Sequence, residues 1–227
     1  MSTPIAEIPK PEASKFAGDR KLLLVPLFIA MPGIPEEGQK LIDSYWTEVR
    51  AQIENLEARL GVIKHIFHEG VHLGGDAGLK VVDQMNPSLG PFIRVLFRSG
   101  ATLEPTDDRE LLAETTDWQR CLSIGLMSEN AQKIVRDGYE QASKKRYEKI
   151  GERINTQIGD NEVAALFISQ DHRVQFPSDI QVFYVSPPSL DAYKRWADEQ
   201  IRPATANVQE SVSDENATYV MWGWSIA

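Results

Sequence analysis

Cysteine is almost missing from this chain. Cys121 stands alone among 227 residues, which excludes an intrachain disulfide and fits a reducing compartment. Long apolar runs are missing too. The most apolar stretch, Leu22 to Met31, is too short to span a bilayer. The first ten residues, Met1 to Lys10, lack the basic start and continuous apolar core of a secretory signal. These absences lead to the expectation of a soluble cytoplasmic protein with no membrane contact.

Positive charge is also scarce. Twenty-four Lys and Arg face 33 Asp and Glu, a formal net charge of -9, which repels phosphate backbones and makes nucleic acid an unexpected partner. The densest basic run, Lys144-Lys145-Arg146, is followed by Tyr147-Glu148 and reads as a solvated helix face. No Walker loop, no Gly-x-Gly-x-x-Gly after the first strand and no Gly-x-Ser-x-Gly elbow occurs. Nucleotide binding and α/β-hydrolase chemistry lose their usual signatures, and the cofactor, if the chain has one, is unknown from the sequence.

What is present is a succession of apolar patterns. Residues 1–20 hold Pro4, Pro9 and Pro11 among small residues and read as a flexible N-terminal arm. Residues 21–227 read as one α/β domain. Lys21 to Ala30 is nearly continuous apolar sequence, the mark of a strand buried on both faces, although Pro26 calls for an edge, a bulge or a break there. From Pro35 to Leu60 the period turns helical. Ile42, Trp46, Val49, Ile53, Leu56 and Leu60 form a seam that wants a cover, and Gly61 suits the C-terminal cap. Val62 to Glu69 is β-branched and aromatic, so it reads as a second strand parallel to the first.

A helical segment over about 76–158 follows. Short helices are expected at 77–86 and 89–99. A capping box, with Asp107 as N-cap and Glu110 at the third position, opens a helix through Leu111, Leu112, Trp118 and Leu122. Ser128 caps the longest helix, with a stripe of Ile134, Val135, Tyr139, Ala142, Ile150, Ile154 and Ile158. Strands at 162–169 and 180–185 come next, then a helix capped by Ser189 and stopped by Pro203. The tail, Ala217 to Ala227, alternates Val220, Trp222, Trp224 and Ile226 and reads as an aromatic strand for a sheet edge or a second copy. The fold expected is a mainly parallel central sheet flanked by helices, with a helical segment between strands two and three.

Three constellations could carry chemistry. His68-Glu69-Gly70-Val71-His72 spells His-Glu-x-x-His and resembles, over five residues and Gly75, the helical motif of the zincin proteases. The third ligand of the extended motif would fall on Gly78, which has no side chain to offer. On a strand, His68 and His72 would stand about 13 Å apart, too far to share an ion. The second constellation is topological. Ligands of open parallel sheets collect beyond the carboxyl ends of the strands. Two of those ends, His68-Glu69 and Asp171-His172, pair a histidine with a carboxylate and supply the candidate catalytic residues His68, Glu69, Asp171 and His172. The third is Glu110, Glu114 and Asp117 on one helix face, read as solvated acid beside a core formed by Trp118 and Cys121.

The long stripe, the seam at 42–60 and the aromatic tail supply more apolar face than a small chain needs for itself. The expected function is therefore a non-enzymatic binding or regulatory protein acting as a homo-oligomer, with a small-molecule ligand as a further partner. The alternative is a metal-assisted hydrolase or related small-molecule enzyme with its site at the carboxyl ends of the strands.

Overall fold

A computed structural model describes residues 19–28 and 33–209. Eleven elements follow one another: β1 (Arg20–Pro26), α1 (Glu36–Leu60), β2 (Ile63–His68), α2 (Gly75–Met85), α3 (Gly90–Arg98), β3 (Thr102–Leu103), α4 (Arg109–Ser123), α5 (Glu129–Gln157), β4 (Val163–Ile168), β5 (Ile180–Tyr184) and α6 (Pro188–Gln209). The strands form one parallel sheet in the order β3-β2-β4-β1-β5. The α/β architecture expected from the sequence is the one observed. The strand expected at 217–227, most of the arm, and Met31-Pro32 at the end of the first strand lie outside the described residues.

Strand periodicity sorts the core into two layers. Leu23 and Val25 of β1 and Val163, Ala165 and Phe167 of β4 face α1, α2, α3 and α6. Leu22, Leu24, Ala164, Leu166 and Ile168 face Ile150, Ile154 and Ile158 at the end of α5. Alternate side chains of a strand point to opposite faces, so a continuous apolar run is what a strand covered on both sides requires. The α1 seam is used up here: Ile42, Tyr45, Trp46, Val49 and Ile53 are buried, and Leu56 and Leu60 pack against them.

Several boundaries differ from expectation. Arg20 belongs to the fold, starting β1 and pairing with Asp179 at 2.6 Å. Pro26 is the last residue of an interior strand, where the ladder ends in any case. The helical segment between strands two and three is interrupted by β3, whose two residues are too few to show a period. Helix α6 continues through Pro203 to Gln209, because a proline inside a helix costs a hydrogen bond without necessarily ending it. The residue that caps α4 is Asp108, whose Oδ1 accepts from the backbone N–H of Glu110 and Leu111. Asp107, expected there, is turned inward for a different purpose.

Candidate functional site

The histidine-rich run is an extended sheet member. β2 ends at His68, and Gly70, at φ 85°, turns the chain out of the strand. The two outer histidines of His-Glu-x-x-His therefore do not share a helical turn, and the zincin geometry is absent. Among the described residues no three His, Cys, Asp or Glu side chains are grouped to hold a metal ion.

His68 is fully buried and stacks on Phe167 of β4 at 6.4 Å. Its Nδ1 lies 2.6 Å from the Glu69 carbonyl oxygen. A carbonyl can only accept, so the proton sits on Nδ1 and Nε2 carries a lone pair. That Nε2 is buried with no hydrogen-bond partner. Burial pushes the His68 pKa down to about 4, against smaller opposing contributions from the Glu69 carbonyl and Asp107. The ring is neutral near pH 7.

Beyond β2 the polar groups converge on one cation. Arg146 of α5 is buried, with Nε 2.6 Å from Asp107 Oδ1 and a terminal nitrogen 2.8 Å from Asp107 Oδ2. The same nitrogen lies 3.1 Å from Glu69 Oε1. Two backbone donors also reach the carboxylates: Gly70 N–H donates to Asp107 Oδ2 at 2.6 Å, and Ser169 N–H to Glu69 Oε2 at 2.7 Å. All four carboxylate oxygens thus have a donor. Two turns further along α5, Arg153 donates to the carbonyls of Pro105 and Asp107 and pairs with Asp108. The backbone N–H groups of Thr106 and Asp107 both donate to the Val71 carbonyl at 2.9 Å. Together these bonds tie the loop before α4 and the body of α5 to the carboxyl ends of β2 and β4.

Against this cluster stand His172 and Tyr147. His172 is half-buried, and its pKa is lowered by burial against an opposing pull from the Glu69 carboxylate. Its Nδ1 accepts from the Val174 N–H at 3.3 Å. Tyr147 is half-buried, and burial with the nearby Glu69 charge pushes its pKa up to about 12. The fold therefore sets His68 beside Glu69 and places His172 within electrostatic reach of the Glu69 carboxylate. Asp171 is exposed in the loop after β4.

Sequence reading missed Asp107, Arg146, Tyr147, Arg153 and Ser169. One signal was available. Arg146 lies four residues after Ala142 and four before Ile150, in register with the apolar stripe, where a charge implies a buried partner. The basic run was expected to be a solvated face. Lys144 and Lys145 are exposed, but Arg146 points into the protein.

A separate ionic cluster surrounds His65. Its Nδ1 is 2.9 Å from Glu104 and its Nε2 3.0 Å from Glu162. The acidic face of α4 is solvated as expected, with Glu110, Glu114 and Asp117 exposed. Trp118 and Cys121, expected in the core, are half-buried and line an open groove of about 350 Å³ with Glu114 and Asp117. No helix among the described residues is long and apolar enough to cross a membrane. Comparison with models of protein families, with curated proteins and with solved structures finds no match to this chain.

Proposed function

We propose that this chain is a cytoplasmic, non-enzymatic binding or regulatory protein that works as a homo-oligomer. The observation that carries this reading is the structural engagement of the carboxyl-end cluster. Asp107 and Glu69 spend every oxygen on Arg146 and on backbone N–H groups. A general base or metal ligand needs a lone pair facing its substrate, and a carboxylate already held by a buried cation and backbone donors is a weaker base and ligand than a free one. Their work is mechanical: they fasten the α4–α5 hairpin to the sheet. Helices held this firmly at their root and poorly covered elsewhere suit a contact arm. Light scattering of the full chain at micromolar concentration tests the reading. It predicts a dimer or larger mass that persists on dilution; a monomer throughout would count heavily against it.

A second reading is a metal-assisted hydrolase or related small-molecule enzyme at the same strand ends. It is favoured by the half-buried, neutral His172 beside Glu69, and by the orphan lone pair of His68. Zinc titration followed by thermal melting addresses it. A rise in melting temperature that His172→Ala and His68→Ala abolish would support the enzyme; no response to zinc would sink the metal-dependent form.

A further inference from the structure

Strand β2 carries an irregularity between Ile63 and His65, where its register against β4 shifts. Such a bulge re-aims the side chain that follows it. Ile63 belongs to the core layer that faces α1, whereas His65 lies opposite Ala164 and stacks on Phe67, both of the layer that faces α5. The shift thus sets the His65 ring between two carboxyl groups. Nδ1 meets Glu104, just past β3, at 2.9 Å, and Nε2 meets Glu162, just before β4, at 3.0 Å. The two nitrogens point apart, so these carboxyl groups lie on opposite sides of the ring and do not converge on a metal ion. They are also unequal. The Glu104 side chain is 13% exposed and that of Glu162 36%. Glu162 Oε2 accepts a second bond, from the Gly159 N–H at 2.7 Å, which closes the turn between α5 and β4. Asn161 in that turn takes a left-handed φ of 63°. The Gly159 N–H and His65 hold the Glu162 carboxyl below the usual carboxylate range.

We propose that His65 is a proton-operated latch on the turn between α5 and β4. With both ring nitrogens protonated, each donates to its carboxylate and the turn is held. When the ring gives up one proton, one nitrogen turns a lone pair toward a carboxylate and repels it. The remaining proton stays on Nδ1, because Glu104 is the more buried acceptor and costs more to leave without a donor. Glu162, nearer to water, then swings outward and releases Gly159. The charged groups around the ring are Glu104, Glu162 and Lys64, its neighbour in β2, whose ammonium also acts on Glu162. The latch works whether the chain is a binding protein or an enzyme.

The test is nuclear magnetic resonance of the full chain, following the His65 ring and the Gly159 amide proton through one pH titration. The Gly159 resonance, held downfield by its carboxylate acceptor, should move upfield as pH rises, with the same midpoint as the His65 ring. Two variants remove the competition for the single proton. In Glu162→Gln the side-chain amide donates to the Nε2 lone pair while its oxygen still accepts from Gly159. In Glu104→Gln the amide donates to Nδ1, so the proton passes to Nε2 and Glu162 stays in place. In both, the His65 ring should still titrate and the Gly159 movement should be lost. A Gly159 resonance that ignores the wild-type His65 titration would overturn the latch. So would a Gly159 movement that persists unchanged in Glu104→Gln, because that variant leaves Glu162 itself untouched.

Discussion

From Ile150 to Ile158, α5 and its cap residue lie against the sheet; nearer its start the helix lies along α4, with Gly138 against Trp118. The later part of the helix and its cap bury Ala142, Arg146, Ile150, Gly151, Ile154 and Ile158, and the earlier part leaves Ile134 largely exposed and Val135 and Tyr139 half-buried. One continuous stripe thus has two environments. Periodicity shows that a helix has an apolar side; it does not show what covers that side. Where the sheet covers it, the stripe is core. Where one partner helix covers it, apolar groups remain for another surface.

The largest expected effect breaks the junction between these halves. Arg146→Met strips the buried cation from Asp107 and Glu69 and leaves their charges uncompensated. The expected loss is about 3–5 kcal/mol in urea unfolding, with the arm loosening first in hydrogen exchange. Converting Asp107 to Asn and Glu69 to Gln in the same variant should recover part of it.

Ile154→Ala sharpens the contrast within the helix. Its cavity would open in the sheet-side core, at an expected cost of about 2–5 kcal/mol. Ile134→Ala, the same chemistry on the exposed half, should move stability by less than about 0.5 kcal/mol. Equal losses at both positions would mean that the arm is covered in solution by something that also stabilises the fold.

Next in size is a pH effect on the sheet end of the junction. Burial holds the folded His68 pKa down at about 4, against 6.5 for an ordinary histidine. Between those values the unfolded chain binds more protons than the folded one, so stability falls as pH drops from about 6.5 and the His68 contribution levels off near 4. The loss is about 3 kcal/mol. His68→Phe should flatten that part of the curve relative to the unmodified chain. Parallel curves would show that the ring is not held neutral.

The smallest effect concerns how the arm is packed. A Cβ on Gly138 would lie 2.6 Å from the Trp118 ring, so Gly138→Ala must displace Trp118. Alanine recovers up to about 1 kcal/mol of helix propensity, leaving a small net change. The readout is a shift in Trp118 fluorescence and faster exchange in α4, with the global unfolding midpoint nearly unmoved.

Much of this arrangement was legible in residues alone. β1, β2, β4 and β5 announce themselves by β-branched and apolar runs, α1 by its seam, and α5 by its stripe; each pattern is local and repeats within a few residues. Gly61, at φ 107°, caps α1 where a glycine was expected, because few other residues tolerate that backbone conformation. The strand character of the histidine run was legible too, since Val62, Ile63, Ile66 and Phe67 outweigh a motif that ignores backbone conformation. β3 was not legible, because two residues make no period.

The partners of the charges belong to the tertiary structure alone. Asp107 and Arg146 are 39 positions apart, and Glu69 and Ser169 are 100 apart. No local rule distinguishes Asp107 from Asp108 as the cap, yet one accepts helix N–H groups and the other a buried guanidinium. The placement of β4 between β2 and β1 is likewise unwritten in any single segment. Local patterns reflect the fixed geometry of helix and strand, which each stretch of sequence expresses by itself. Ion pairing and strand order depend on which surfaces meet after the chain closes, and that is a property of all the segments together.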